Sequence, residues 1–291
     1  MQDALKPPQL PLITDGNLAH WLGRGVARHH HPPFKIASAL NLDAPDIVMT
    51  AHQAFHSAGA QLLRTNTLGA ERVTLARYGL EERTEAINNS GAALVQNVTG
   101  PAGFKMGVIG QILSGENGLD MDAAARERAY SEQIVYLSDT DVTFFLLEHF
   151  THLSEAEMVL KIVLNASDAP LLAQLRMDDQ GRTLDGEPIQ SASRALIAQG
   201  AGAIGVTCSP WESTLKALED LLTLGVPVSI MAGLHDSNTT APFTNAPAWS
   251  PEEYAEHLGT LVGEGVHIVG GCCGVSPEHT RALVGWLHPE S

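Results

Sequence analysis

The feature of this sequence that most constrains its fold is a regular alternation between short apolar runs and longer amphipathic segments. Runs rich in Val, Ile and Leu predict strands buried on both faces, whereas apolar residues at helical spacing predict helices. The predicted strands are Leu10–Asp15, Gln61–Thr67, Lys105–Gly110, Thr143–Glu148, Leu171–Met177, Ala203–Cys208, Val226–Met231 and Val266–Cys272. The predicted helices are Asp46–Ser57, Glu81–Val98, Ala123–Ser138, Glu155–Asn165, Ser191–Gln199, Glu212–Thr223, Pro251–Gly263 and one that begins after Ser276.

This order predicts an α/β fold in which parallel strands are joined by right-handed helical crossovers, and eight such units close naturally into a (β/α)8 TIM barrel. The same alternation is found in open doubly wound sheets, but no Gly-x-Gly-x-x-Gly turn follows an early strand. A barrel of about 250 residues with long loops accounts for the 291 residues of the chain. We therefore expect a single domain over residues 1–291, with an ordered core from about residue 10 to 288.

The three cysteines of the chain all lie at the ends of predicted strands. Cys208 ends the sixth strand, and Cys272 and Cys273 follow the paired glycines that end the eighth. Neighbouring side chains on a regular strand point to opposite faces, so packing in the core does not favour two adjacent cysteines, whereas a glycine-flanked turn can direct both thiols to one point. Three thiolates with an open fourth position predict a zinc site that keeps one place for a substrate.

The residues around these cysteines resemble a known family. The motif Gly270-Gly271-Cys272-Cys273-Gly274 before a Pro-x-His helix start, with Gly205-Val206-Thr207-Cys208 upstream, is similar to the zinc-dependent homocysteine S-methyltransferases of the betaine-homocysteine methyltransferase and methionine synthase type. Further similarity lies in Ala58–Thr67 and in Asp178–Pro188, within a resemblance from about Leu12 to Leu287. The resemblance implies a methyltransferase on a TIM barrel, in which Cys208, Cys272 and Cys273 bind Zn²⁺ and activate the thiol of an acceptor.

The implied acceptor is homocysteine, which would become methionine, and the implied donor is a betaine-like, sulfonium or folate compound. Asp15, Gly16 and Glu148 match residues that line the amino acid site of the family, where the carboxylates face the ammonium group of the acceptor. Thr207 lies next to the first ligand, at a substrate-binding position that is often Asn in the family. The sequence also differs from the family at Asn17–His20 and at Met231, which leaves the physiological acceptor open.

Two stretches, Trp21–Ala37 and Gly233–Ser250, lack the pattern of either a helix or a strand and predict long loops at the barrel mouth. Their aromatic residues Trp21, Phe34 and Trp249 are candidates for enclosing a cationic donor, because a cation-binding cage needs aromatic faces. For the tract His29–His31 we expect a loop that faces solvent or covers substrate, since consecutive histidines point in different directions.

Composition excludes several classes of function. The formal net charge of -16 repels phosphate backbones, so nucleic acid is not an expected partner. The chain has no apolar run of about 18 residues, and its first residues lack the order of a signal peptide, so we expect neither a membrane partner nor export. Three cysteines do not predict a disulfide framework, which fits the reducing cytoplasm. The sequence leaves a homo-oligomer open.

Three other functions remain to be weighed. The first is a noncatalytic or altered-specificity barrel that binds another thiol or amino acid, suggested by the changes near Asp15, Thr207 and Met231. The second is a zinc hydrolase, which is disfavoured because such sites typically use His and carboxylate ligands and the chain has no His-Glu-x-x-His. The third is a redox protein that uses Cys272 and Cys273, disfavoured because adjacent cysteines form only a strained disulfide.

Overall fold

The fold was determined as a computed structural model that describes residues 11–28, 36–112, 121–234 and 249–289. The eight predicted strands are all present and are numbered β1 to β8 in chain order. Their bounds are Leu12–Ile13, Leu62–Arg64, Phe104–Gly110, Phe144–Phe150, Leu171–Leu175, Ala203–Thr207, Val228–Ala232 and Ile268–Gly271. Within these four segments, no helix combines the length and the apolar character needed to cross a membrane.

All of the strand pairs are parallel, in the order β1-β8-β7-β6-β5-β4-β3-β2. A parallel bridge between Thr14 and Leu62 joins the two outer strands of this order. The amide of Gln61 donates a hydrogen bond to the carbonyl oxygen of Ile13 at 2.8 Å across the same junction. The sheet thus returns on itself as a (β/α)8 TIM barrel, and the fold prediction is confirmed.

Eleven α-helices in the described segments surround this barrel, numbered α1 to α11 in chain order, and all the predicted helices are among them. Their bounds are Leu18–Arg28, Leu40–Asp43, Pro45–Ser57, Arg72–Ala76, Thr84–Thr99, Ala123–Ser138, Leu153–Ala166, Ile189–Gln199, Trp211–Leu222, Pro251–Gly263 and Pro277–Leu287. Ala37–Ala39 and Glu81–Arg83 form 3-10 turns. The single-domain prediction for residues 1–291 extends beyond the described segments and stays a prediction.

The first helix corrects the sequence analysis, because the prediction of an irregular stretch from Trp21 to Ala37 is wrong as far as Arg28. Leu18 and Leu22 are buried in a cluster with Phe55 of α3. Packing of these apolar residues therefore stabilises a helix that local propensity does not favour. Phe34 and the tract His29–His31 lie outside the described residues.

The barrel interior is filled by side chains from every strand. The buried members of this cluster are Leu12, Leu62, Met106, Val108, Phe144, Leu146, Leu172, Ala203, Met231 and Ile268. Alternate residues of a strand point to the same side, so residues two or four positions further along also face the interior. Arg64, Glu148 and Thr207 stand at such positions in β2, β4 and β6. The interior is therefore apolar along most of its length and polar at the carboxyl ends of the strands, which form the barrel mouth.

Candidate active site

The three cysteines meet at the barrel mouth, as the sequence predicts. The Sγ atom of Cys273 lies 3.5 Å from that of Cys208 and 3.7 Å from that of Cys272. Cys208 and Cys272 are drawn together so closely that their sulfur atoms form a disulfide. The Cα atoms of these two residues are 6.1 Å apart, within the range that a disulfide spans. The prediction that all three thiols bind one zinc ion stays a prediction.

Backbone hydrogen bonds fix the turn that carries Cys272 and Cys273. The amide of Cys272 donates to Ala232 O at 2.8 Å, and its carbonyl oxygen accepts from Asn17 N at 3.2 Å. The carbonyl oxygen of Cys273 accepts from Leu234 N at 3.0 Å. Gly274 then takes a φ of +86°, which favours glycine, and allows the chain to turn into α11. Two adjacent thiols therefore point toward one place because the turn is anchored to both neighbouring strands.

The backbone of Cys208 has an unusual conformation. It follows β6 and adopts a φ of +44°, which few residues other than glycine adopt. Its amide donates to Met231 O at 3.1 Å, which holds the residue against β7. Backbone strain of this kind is held in place by the surrounding structure and clusters at functional sites.

His149 is a site residue that the sequence analysis missed. It lies in β4, where the pairing with β5 shifts register between Leu147 and Phe150, and its φ is +65°. Its Nε2 atom is 3.1 Å from Cys272 Sγ. A ring nitrogen of His149 and the sulfur atoms of Cys208 and Cys272 all lie within 4.8 Å of one another, a grouping that can hold a metal ion. Burial lowers the pKa of His149 and so favours the neutral imidazole that metal ligation requires.

Arg64 is the second residue that the sequence analysis missed, and it lies between the two predicted acidic site residues. Its Nε donates to Asp15 Oδ1 at 2.8 Å, and its Nη1 donates to Glu148 Oε1 at 2.6 Å. Its Nη2 donates to the carbonyl oxygens of Asp15 and Gly271, both at 2.7 Å. A charged residue in a buried strand at an interior-facing position was the available signal, because buried arginines are almost always paired.

These three ionisable side chains are all buried, with 0 % of Asp15, 2 % of Arg64 and 3 % of Glu148 exposed. Burial raises the pKa of Asp15 to about 6, although the charge and hydrogen bonds of Arg64 work in the opposite direction. Burial opposes the charge of Arg64, yet the carboxylates of Glu148 and Asp15 raise its pKa above the ordinary value. At pH 7 the arginine is therefore a permanent cation between two carboxylates.

The other predicted site residues also lie at the mouth. Gly16 follows Asp15, and a Cβ there would lie 2.6 Å from Val275 O and 2.8 Å from the ring of Phe55, so the close approach of the chain requires glycine. Thr207 is 1 % exposed, and its hydroxyl has no hydrogen-bond partner in the described part of the chain. The structure thus places Asp15, Gly16, Glu148 and Thr207 at the carboxyl end of the barrel.

A cavity of about 360 Å³ lies beside the cysteines, with Cys208, Met231 and Trp249 in its wall. Trp249 packs edge-on against Trp211, with ring centroids 4.9 Å apart. Trp21, by contrast, belongs to α1 and packs on Phe55 at 6.0 Å. Of the two tryptophans proposed to enclose a donor, only Trp249 therefore borders the cavity at the cysteines.

Comparison with known proteins finds a match to the family described as homocysteine S-methyltransferase over residues 12–287. The S-methylmethionine--homocysteine S-methyltransferase BHMT2 of Rattus norvegicus is 30% identical over 271 residues, covering 86% of this chain and 71% of that protein. The methionine synthase of Mycobacterium tuberculosis is 27% identical over 265 residues, covering 84% of this chain and 22% of that protein.

Among solved structures, the homocysteine methyltransferase MmuM from Escherichia coli has a similar fold. Its oxidised form aligns with a TM-score of 0.76 and 20% identity, covering 97% of this chain and 98% of that one. Its metallated form aligns with a TM-score of 0.73 and 20% identity, covering 96% and 97%. At this identity the likeness supports the barrel fold.

Proposed function

Because the chain belongs to the homocysteine S-methyltransferase family, we propose that it transfers a methyl group from a small donor to the thiol of homocysteine, forming methionine. The observation that carries this proposal is the cluster of three cysteine sulfur atoms at the barrel mouth. The carboxyl ends of barrel strands are where enzymes of this fold place their reacting groups.

The cysteine cluster fits a zinc ion once the disulfide between Cys208 and Cys272 is reduced. A tetrahedral zinc with bonds of about 2.3 Å to sulfur separates its sulfur ligands by about 3.8 Å, close to the 3.5 and 3.7 Å from Cys273 to the other two. We propose that Cys208, Cys272 and Cys273 hold Zn²⁺, which, when bound there, supplies positive charge that favours the thiolate form of an acceptor. The need for reduced thiols suits the predicted cytoplasmic location.

The proposed reaction is a direct displacement. The acceptor thiol loses its proton to solvent, its sulfur forms a bond to the methyl carbon, and the bond from that carbon to the donor breaks with its electron pair on the leaving group. For a sulfonium donor the leaving group is a neutral thioether. The neutral imidazole of His149 beside Cys272 adds no positive charge that would repel such a donor.

The remaining predicted residues form the wall of the proposed acceptor pocket. Gly16 allows the chain after β1 to approach Val275 closely. Thr207 next to Cys208 is buried, and its hydroxyl has no hydrogen-bond partner among the described residues. Asp15 and Glu148 lie on the opposite side of this pocket, where both carboxylates accept hydrogen bonds from Arg64. The cavity beside Cys208 lies within the size range of small-molecule sites and is the proposed position of the donor.

The direct test is to incubate reduced, zinc-loaded protein with homocysteine and a panel of S-methylmethionine, betaine and methylfolate, and to measure methionine by mass spectrometry. We expect methionine to form with a donor of this panel. In Cys273→Ser the rate of methionine formation should fall by more than about 100-fold, because replacing a ligand should cost more than the roughly 10- to 100-fold typical of residues that only contact a ligand. Thr260→Ser, a change on the exposed face of α10, serves as the control and should keep the wild-type rate. Unchanged methionine formation by Cys273→Ser would refute the proposal.

A further inference from the structure

The guanidinium of Arg64 occupies the space between the two carboxylates that the family resemblance assigns to the ammonium group of the acceptor. We propose that Arg64 determines acceptor specificity by taking the position of that ammonium group as an internal cation. The enzyme then accepts mercaptocarboxylates whether or not they carry an α-ammonium group. This inference rests on the proposed methyl transfer to a thiol and specifies the acceptor class of the same site.

The position of Arg64 is fixed by its hydrogen bonds. An arginine side chain has five N–H donors. Four of them meet the side chains and carbonyl oxygens of Asp15, Glu148 and Gly271 at 2.6 to 2.8 Å, and Met231 Sδ lies 3.6 Å from Nη1. Each donor direction therefore points to an acceptor of the protein, and no donor is left for the carboxylate of a substrate.

Asp15 is unavailable to an ammonium group for the same reason. Its Oδ1 accepts from Arg64 Nε, and its Oδ2 accepts from the backbone amide of Arg64 at 3.1 Å. Removing one member of a buried ion pair leaves the other charge uncompensated, which is strongly destabilising. An arriving ammonium group therefore does not displace Arg64. Arg64 is part of β2, so its side chain loses no translational freedom when it pairs with the carboxylates, whereas a free ligand does.

Among the four carboxylate oxygens of Asp15 and Glu148, only Oε2 of Glu148 has no hydrogen-bond partner in the described parts of the chain. The other three accept from Arg64. The cavity next to Glu148, bordered also by Asn17 and Leu18, has a volume of about 10 Å³. That is room for about one water molecule, and too little for a substituted α-carbon. An ammonium group there would also lie close to the like charge of Arg64.

The two carboxylates have a different task in this arrangement, which is to hold Arg64 in place. Arg64 in turn donates to the carbonyl oxygen of Gly271, the residue before Cys272. Asp15 and Glu148 therefore position the turn of the cysteine cluster through Arg64. The acceptor is left with its thiol and its carboxylate as the groups to be recognised.

The test compares homocysteine with 4-mercaptobutanoate, which is homocysteine without its amino group. Calorimetric titration of reduced, zinc-loaded protein gives both affinities. Each dissociation constant is calculated from the concentration of the thiolate form, because the ammonium group lowers the pKa of the homocysteine thiol. We expect the two dissociation constants to agree within about threefold. A site built for the ammonium group would lose about 10- to 150-fold with the deaminated thiol, so a preference for homocysteine of about tenfold or more would overturn the proposal.

Two variants assign the effect to Arg64. Asp15→Asn with Arg64→Gln removes one charge of each sign, so the net charge of the cluster is unchanged while Glu148 becomes free. This double variant should prefer homocysteine by about tenfold or more, and a folded double variant with the wild-type ratio would contradict the assignment. Arg64→Lys keeps the cation and should keep a ratio near one. A ratio near that of the double variant would contradict the role of the charge.

The affinity ratio is measured without a methyl donor and so does not depend on the transfer reaction. A ratio near one together with no methylation of either thiol would refute the proposed function and still support the role of Arg64. Methylation of homocysteine together with binding of 4-mercaptobutanoate that is weaker by about tenfold or more would support the proposed function and refute the role of Arg64.

Discussion

At the scale of single residues, Arg64 and His52 show two ways in which an ionisable side chain is buried in this protein, one paired with opposite charge and one neutral. Arg64 is the paired case, with Asp15 and Glu148 at 2.8 and 2.6 Å. His52 of α3 is the neutral case, because it is fully buried and neither ring nitrogen has a hydrogen-bond partner among the residues the structure describes. Burial lowers the pKa of His52 from its ordinary 6.5 to about 3.

The low pKa of His52 predicts a loss of stability in acid. Below about pH 6.5 the unfolded chain binds a proton at His52 that the folded chain excludes down to about pH 3. The free energy of unfolding therefore falls by roughly 1.4 kcal/mol per pH unit across that window. Replacing the residue in His52→Leu should reduce the loss between pH 7 and pH 5 by about 2 kcal/mol, measured by urea unfolding.

The matched control for this prediction is His56→Leu, an exposed histidine one turn further along the same helix. It should show the same loss of stability between pH 7 and pH 5 as the wild type. Parallel curves for wild type and His52→Leu would show that the buried imidazole does not govern the acid sensitivity.

At the scale of elements, β4 shows why part of the site was not predictable. On a regular strand Glu148 and His149 point to opposite sides, so the sequence placed only the carboxylate at the mouth. The register shift between Leu147 and Phe150 turns His149 toward Cys272 as well. A bulge depends on pairing with the neighbouring strand, and the local sequence of β4 carries no signal for it.

The positive φ of His149 predicts a characteristic order of stability among its variants. Glycine adopts a φ of +65° without steric cost, whereas a β-branched residue is strained there. In metal-free, reduced protein, His149→Val should therefore unfold with a free energy roughly 1 to 2 kcal/mol below that of His149→Gly. Both variants lack the imidazole, so urea unfolding compares them without the contact of that ring to Cys272. Equal stability of the two would argue against a strained bulge.

Helix α1 shows a second limit of the sequence. The stretch from Trp21 to Ala37 was predicted to be irregular because it lacks a helix or strand pattern. It contains Gly23 and Gly25, and glycine is a poor helix former. Leu18 and Leu22 pack with Phe55 and override that preference. The strands were predictable because their buried apolar runs are unambiguous, whereas α1 depends on a contact with α3 that only the folded barrel provides.

At the scale of the whole molecule, the mouth gathers residues from strands that are far apart in sequence. Cys208 and Cys272 are 64 positions apart and lie in contact, and Arg64 reaches the carbonyl oxygen of Gly271 across 207 positions. The positions of Cys208 and Cys272 at strand ends were predictable from the alternation of strands and helices. The pairing of Arg64 with both carboxylates was not, because it depends on which side chains face each other after the barrel closes.

We propose that zinc on the three cysteines binds the sulfur of an acceptor thiol. Zinc-edge X-ray absorption of reduced, zinc-loaded protein tests it most directly, since sulfur ligands at about 2.3 Å are distinguished from nitrogen and oxygen ligands at about 2.0 to 2.2 Å. We predict three sulfur ligands without homocysteine and four with it, and one fewer in each state for Cys273→Ser. A coordination shell that gains no sulfur while calorimetry shows homocysteine to be bound would contradict the account.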